Sequence, residues 1–129
     1  MVCFRANSDH SCLLHTASRA DESRDTLIIY VRSLGGKSPE DLHAVLTSFY
    51  GKEPFVHVLP FGQMPQTRHV RGSNMTYIGV ASDQIKGRAI IGSAVDNLVK
   101  GASGQAMQNM NLLLGFAETM GLEQIALFP

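Results

Sequence analysis

The alternation of apolar and polar positions divides the chain near Asp25. From Leu27 onward, short runs rich in β-branched and apolar residues have the length of strands and are separated by turn signals. These runs are Leu27–Val31, Phe55–Leu59, 74–81 and Arg88–Val95. Residues 1–26 are rich in Ser, Arg, Asp and His and follow neither a helical nor a strand period, which predicts disorder there.

Two segments have the pattern of helices. Ser38 is a good N-cap, is followed by proline and two acids, and precedes an apolar face at helical spacing that ends at Gly51. A second, longer helix is predicted over residues 97–114, with Asp96 as its N-cap and Gly115 after its end.

The order of these elements indicates the fold class. A strand, a helix and then three strands without intervening helices predict an α+β domain, with a largely antiparallel mixed sheet and helices on one face. A doubly wound parallel sheet is disfavoured because the crossover helices that it needs are missing. We therefore predict a leader over residues 1–26 and one domain over residues 27–129 that ends in the closing helix.

Charge and cysteine content exclude several classes of protein. The 11 basic residues balance the 11 acidic ones, so no basic field is available for nucleic acid or for an anionic membrane. The apolar runs are too short and too interrupted to span a bilayer. Cys3 and Cys12 provide neither a disulfide framework nor a zinc site, which favours a reducing compartment.

The predicted closing helix carries the strongest functional signal. Lys100 lies in its first turn, where the helix dipole disfavours a cation unless the side chain reaches solvent or an anion. Gly101 and Gly104 each cost about 1 kcal/mol relative to Ala, which indicates close approach of another backbone or a ligand. Four uncharged amides follow, at Gln105, Gln108, Asn109 and Asn111. They suit a helix covered by another domain or a cofactor, although a helix with its amides in water explains the pattern equally well.

The remaining candidates for chemistry are weaker. The five histidines have no metal-ligand spacing, so we predict structural or solvated roles for all of them. A long loop over residues 62–71 places Arg68 and Arg71 on either side of His69. These arginines could grip an anionic ligand or could simply be solvated. The sequence has no nucleophile–base arrangement, Gly-rich dinucleotide loop or P-loop.

From Asp96 to Ala106, and onward over Gln108–Asn111, the sequence resembles the closing helix of N-acetyl-gamma-glutamyl-phosphate reductases. Similar stretches lie on both sides of that helix in the same order and spacing as in the family. They are Glu53–Val56, the loop at Pro65, Val70–Asn74, Gly87–Arg88, Gly115, Glu118–Thr119, Gly121–Leu122 and Pro129. The resemblance covers roughly Leu27 to Pro129.

This resemblance implies an enzyme of arginine biosynthesis. Such an enzyme uses NADPH to reduce N-acetyl-glutamyl 5-phosphate to N-acetyl-glutamate 5-semialdehyde with release of phosphate, through a cysteine thioester and a histidine acid/base. The implied fold is similar to aspartate-semialdehyde and glyceraldehyde-3-phosphate dehydrogenases, in which a Rossmann domain precedes an α+β domain that makes the homo-oligomer contact. The implied location is the cytoplasm, or the plastid for a plant protein.

The resemblance also implies cofactor-binding roles for Asn97, Lys100 and Gly101. Asn97 would approach the nicotinamide carboxamide, and Gly101 would allow close packing beside it. The Rossmann domain and the family's catalytic cysteine and histidine are expected to be missing from the chain, since Cys3 and Cys12 do not lie in the family's cysteine motif. We therefore expect the chain alone to be inactive. The alternatives are a non-catalytic oligomerisation domain and another semialdehyde dehydrogenase.

The segment before Leu27 is compatible with a frame-shifted reading. The family has Val-Ser-Phe-Thr-Pro-His-Leu-Val-Pro-Met-Ser-Arg-Gly-Ile before its first strand, and codons for Cys12 to Asp25 read one nucleotide later can yield every one of these residues. We predict that the frame is restored near Leu27 and that residues 1–26 have no evolved fold. Sequencing the gene tests this hypothesis, which fails if the codons do not spell the family segment in the next frame.

Overall fold

The computed structural model describes residues 12–18, 24–32 and 37–127. Five strands form one mixed sheet: β1 (Cys12–Ser18), β2 (Arg24–Arg32), β3 (Val56–Val58), β4 (Thr76–Ser82) and β5 (Arg88–Asp96). Helix α1 (Pro39–Tyr50) lies between β2 and β3 in the sequence and contacts β3 and β4. After β5 the chain forms a π-helical turn, Val99–Ser103, which leads into helix α2 (Gly104–Leu114).

The sheet has the order β1-β2-β5-β4-β3. The three pairs β1–β2, β2–β5 and β5–β4 are antiparallel, and only β3 runs parallel to its neighbour β4. The connection between these two parallel strands contains a single 3-10 turn, Thr67–His69, and no crossover helix. The predicted α+β fold with a largely antiparallel mixed sheet is therefore confirmed.

Local sequence determines the start of α1. The Ser38 hydroxyl accepts a hydrogen bond from the Asp41 backbone N–H at 3.1 Å, and the Asp41 carboxylate accepts one from the Ser38 N–H at 2.8 Å. This capping box satisfies two backbone donors at the helix end. Gly51 is the C-cap, as predicted.

The N-terminal region differs from the expectation of disorder over residues 1–26. Strand β1 and the first residues of β2 lie in that region. They can form strands without a regular side-chain pattern because antiparallel pairing uses backbone groups. Residues 1–11 and 19–23 lie outside the described residues. The frame-shift hypothesis and the proposed domain division at Leu27 stay predictions.

One loop crosses the sheet at a pair of glycines. Gly79 of β4 and Gly92 of β5 are direct cross-strand neighbours. A β carbon on Gly79 would collide with the Gln63 carbonyl oxygen and lie 2.9 Å from Pro65 Cδ, whereas one on Gly92 would lie 3.0 Å from Met64 Sδ. Residues 63–65 therefore rest directly on the sheet. From there the chain runs to the 3-10 turn, which contacts β2 and β5, and on to the loop of residues 70–74.

Candidate functional site

A buried carboxylate joins the closing helix to the loop of residues 70–74. Asp96, at the end of β5, is 4% exposed. Its Oδ1 accepts hydrogen bonds from the backbone N–H groups of Leu98 (2.9 Å) and Val99 (3.2 Å), which confirms the predicted capping role. Its Oδ2 accepts a third from the Gly72 N–H at 2.7 Å. One side chain thus determines the positions of two segments that are far apart in the sequence.

The closing helix begins with a π turn rather than with regular α-helix. The backbone N–H of Ser103 donates to the Leu98 carbonyl at 3.2 Å, and the Ser103 hydroxyl donates to the same oxygen at 2.9 Å. The prediction of one continuous helix over residues 97–114 is wrong in this respect. Single π turns inside helices occur often at functional sites, so this start is a plausible place for ligand contact.

Asn97 and Gly101 form a small exposed unit at this start. Both residues are exposed, and a β carbon on Gly101 would collide with the Asn97 side-chain oxygen. The close approach that the glycine indicated is therefore made by the chain's own Asn97. Because that side chain packs against Gly101, its orientation is restricted, while its amide stays accessible to a ligand.

Lys100 is half-buried and is directed toward the chain itself. Its Nζ donates to Gln108 Oε1 at 2.5 Å and lies 5.3 Å from the centre of the Phe55 ring. Burial lowers the pKa of the Lys100 amine, and the nearby carboxylates of Glu118 and Glu53 act in the opposite direction. The first-turn lysine thus meets partners of this chain, which sequence inspection did not identify.

All four amides of the helix bond within the chain, and two of them, Gln108 and Asn111, bond to other segments. Gln108 Oε1 accepts from Asn74 Nδ2 at 3.0 Å as well as from Lys100, and Gln108 Nε2 donates to Glu118 Oε1 at 2.6 Å. Asn111 donates to the Glu118 and Met120 carbonyls at 3.2 and 2.9 Å. The segment after α2 covers this side of the helix. Gln105 and Asn109 bond to each other at 3.2 Å, on the exposed side.

Gly104 is expected to be intolerant of a side chain. Asn74 is fully buried, and its Oδ1 has no hydrogen-bond partner among the described residues. A β carbon on Gly104 would collide with this oxygen and would also lie 2.8 Å from Val99 Cγ1 and 2.9 Å from the Val99 carbonyl oxygen. We predict that Gly104→Ala destabilises the chain by about 1–2 kcal/mol even though alanine has the higher helix propensity. Urea unfolding measures this change.

The matched control for Gly104 is the double variant Gly104→Ala/Asn74→Ala. Because it removes the oxygen that meets the new methyl group, the two substitutions should cost less together than the sum of the single costs. A Gly104→Ala chain that is more stable than the wild type would contradict this prediction, because it would mean that the new methyl group meets no close neighbour at the start of α2.

Three histidines make aromatic and backbone contacts. The His57 and His69 rings lie 5.3 and 5.9 Å from the Tyr77 ring, and His43 Nε2 is 2.8 Å from the Leu59 carbonyl oxygen. Over residues 37–127, no group of three His, Cys, Asp or Glu side chains could hold a metal ion. Structural roles therefore account for these three histidines.

The two arginines of the loop differ in their surroundings. Arg68 Nε donates to Gln66 Oε1 at 2.5 Å. Arg71 is exposed, and its backbone carbonyl accepts from the Leu127 N–H at 2.8 Å. The sequence left open whether this loop is solvated or binds an anion. Because the Arg68 side chain bonds to Gln66, Arg71 is the arginine on which anion binding would depend.

A large apolar surface lies next to this site. α2 and the segment after it expose several apolar side chains, and the most exposed, at 50–86%, are Leu112, Leu113, Leu114, Phe116, Met120, Ile125 and Leu127. Exposed apolar side chains that are grouped in this way are typical of a contact with another domain or chain. Among the described helices, none has both the length and the apolar character needed to cross a membrane.

Comparison with known proteins gives a consistent result. Residues 15–97 match the family model described as semialdehyde dehydrogenase, dimerisation domain. The N-acetyl-gamma-glutamyl-phosphate reductase of Afipia carboxidovorans is 67% identical over 99 residues, which are 77% of this chain and 28% of that protein. The reductase of the same name from Geobacter metallireducens is 57% identical over 101 residues, or 78% of this chain and 29% of that protein.

A solved structure shows the same fold at low sequence similarity. Aspartate semialdehyde dehydrogenase II from Vibrio cholerae superposes with a TM-score of 0.55 at 19% identity, over 72% of this chain and 27% of that one. The chain thus spans between a quarter and a third of the length of the proteins that it resembles.

Proposed function

Since the chain belongs to the semialdehyde dehydrogenase family through that family's dimerisation domain, we propose that it is part of an N-acetyl-gamma-glutamyl-phosphate reductase. In this proposal the whole enzyme uses NADPH to convert N-acetyl-glutamyl 5-phosphate to N-acetyl-glutamate 5-semialdehyde and phosphate in arginine biosynthesis. The observation that carries the proposal is the 67% identity over 99 residues to the Afipia carboxidovorans reductase.

The exposed unit of Asn97 and Gly101 is the proposed contact for the cofactor. NADPH supplies a hydride when it is bound. An accessible amide can donate to and accept from a carboxamide, and the packing of Asn97 against Gly101 restricts its orientation before binding. Lys100 is the third predicted cofactor residue. Its side chain bonds to Gln108, so in this proposal it stabilises the start of the closing helix and does not contact the cofactor directly.

The proposed assembly is a homo-oligomer. The family model is described as a dimerisation domain, and the exposed apolar side chains of α2 and the following segment provide surface for further contacts. Balanced charge and two isolated cysteines favour a reducing location, for which we propose the cytoplasm, or the plastid in a plant.

A chimaeric enzyme tests the proposed function. Residues 27–129 of this chain replace the matching segment of the Afipia carboxidovorans reductase, and NADPH oxidation is measured with N-acetyl-glutamyl 5-phosphate. We expect kcat/KM within about tenfold of the parent enzyme, a difference of about 1.4 kcal/mol in barrier. The parent with the segment deleted is the inactive control.

The same assay separates the alternatives. A chimaera that folds and oligomerises like its parent but has no turnover would favour the non-catalytic oligomerisation domain. A chimaera that prefers aspartyl phosphate would favour another semialdehyde dehydrogenase. The chain alone is expected to show no NADPH oxidation, and measurable turnover by the purified chain would contradict that expectation.

A further inference from the structure

We propose that Arg71 binds the phosphate group of the acyl phosphate substrate, at a position next to the cofactor contact at Asn97. This inference rests on the proposed function for the identity of the anion. Its geometric basis lies in the loop of residues 70–74 and in the start of the closing helix.

The Asp96 carboxylate brings the two residues together. Its Oδ2 accepts from the N–H of the Arg71–Gly72 peptide, and its Oδ1 accepts from the N–H of the Asn97–Leu98 peptide. Arg71 and Asn97 therefore immediately precede two of the three N–H groups that bond to this carboxylate. Although they are 26 positions apart in the sequence, they are neighbours in space, and both side chains are exposed.

The backbone of Arg71 is held on both sides. Its carbonyl accepts from the Leu127 N–H at 2.8 Å, and the following N–H is held by Asp96 at 2.7 Å. Gly72 has a φ of 71°, and a β carbon there would lie 3.1 Å from Leu127 Cδ1. A side chain on a fixed backbone loses less conformational entropy when it binds a ligand.

The guanidinium group of Arg71 is available for a ligand. Among the described side chains it has no hydrogen-bond or ion-pair partner, whereas Arg68 bonds to Gln66 and Lys100 bonds to Gln108. Both oxygens of the nearby Asp96 are already bonded to backbone N–H groups. An arginine in this setting can present two parallel N–H groups to a phosphate.

The chemistry of the proposed reaction requires such a group. The phosphate leaves from the same acyl carbon that receives the hydride, so the binding residues for the phosphate and for the nicotinamide must lie close together. Arg71 forms no covalent bond in this scheme. It binds the substrate dianion and stabilises the negative charge on the departing phosphate.

Two measurements on matched variants test the proposal. The first is titration of the full ¹⁵N-labelled chain with inorganic phosphate, followed at the Gly72 and Leu98 N–H signals and at the Arg71 side chain. The second is the KM for N-acetyl-glutamyl 5-phosphate in the chimaeric reductase. The variants are Arg71→Gln, Arg71→Lys and, as the control in the same loop, Arg68→Gln.

We expect Arg71→Gln to weaken phosphate binding, and to raise the KM for the acyl phosphate, by about tenfold or more, with the KM for NADPH unchanged. Arg71→Lys should keep part of the phosphate affinity, because lysine has the positive charge but cannot present two parallel N–H groups. Arg68→Gln should change neither the phosphate affinity nor the KM.

The outcomes separate the two proposals. If the chimaera with Arg71 intact is inactive but the chain binds phosphate in an Arg71-dependent way, the anion site stands and the proposed function fails. If the chimaera is active and Arg71→Gln changes neither the phosphate affinity nor the KM for the acyl phosphate, the role of Arg71 is overturned while the proposed function stands.

Discussion

Asp96→Ala is expected to lower the free energy of unfolding by about 3–5 kcal/mol, the largest effect of any single substitution that we propose. The substitution removes one acceptor group from three backbone donors, those of Gly72, Leu98 and Val99. Because Asp96 is 4% exposed, water cannot easily replace the carboxylate. Urea unfolding measures the stability, and amide hydrogen exchange should show faster exchange at these three positions.

Two variants serve as controls for Asp96. Asp96→Asn keeps the shape and one acceptor oxygen, so its cost should lie between those of the wild type and the alanine variant. Asp83→Asn removes the charge of a carboxylate that pairs with Arg88 in the turn between β4 and β5, and whose backbone hydrogen bond stays within that turn, so it should cost clearly less than Asp96→Ala. If Asp96→Ala costs no more than Asp83→Asn, the carboxylate does not hold the helix start to the loop.

Gly79→Ala is expected to destabilise the chain by about 2–3 kcal/mol. The new methyl group would meet the Gln63 carbonyl oxygen and the Pro65 ring, which are parts of the backbone or tied closely to it. Neither can move without lifting the loop of residues 63–65 from the sheet. Thermal or urea unfolding of the full chain measures the effect.

Gly92→Ala is the matched comparison for Gly79. It adds the same methyl group to the neighbouring strand, but its closest contact is Met64 Sδ at 3.0 Å, in a flexible side chain that can rotate away. Its cost should therefore be clearly smaller. Equal costs at the two glycines would mean that the loop does not rest on Gly79 more tightly than on Gly92.

The parts of the fold that local sequence determines were predicted correctly. These parts are the N-cap at Ser38, the end of α1 at Gly51 and the strands β2 to β5, and their sequence signals each lie within a few neighbouring positions. Strand β1 was not predicted, because its formation depends on a partner strand and its own sequence carries no strand period. Pairing between strands depends on residues far apart in the sequence, so the local pattern of apolar and polar positions predicts it poorly.

The candidate site was predicted only in part, for a similar reason. The capping role of Asp96 follows from neighbouring positions, whereas the cofactor roles of Asn97 and Gly101 come from the family resemblance and stay predictions. The partners of Gln108, namely Asn74 and Glu118, and the Phe55 ring beside Lys100 come from other segments, so the spacing of residues within the helix gives no indication of them. Gly104, which follows the π turn, also packs against Asn74, which lies far away in the sequence. The proximity of Arg71 to Asn97 likewise requires knowledge of the bonds that Asp96 makes.

The loop that rests on Gly79 and Gly92 also constrains the order in which the chain can fold. Residues 63–65 leave the ribosome before β4 and β5, yet these later strands form the surface on which the loop lies. Strand β2 likewise cannot pair with β5 until β5 is synthesised, and the two strands are separated by about half of the chain. Contacts of such long range are slow to form because loop closure must precede them. The last strand of the sheet to be synthesised is thus the one that allows the earlier segments to reach their final positions.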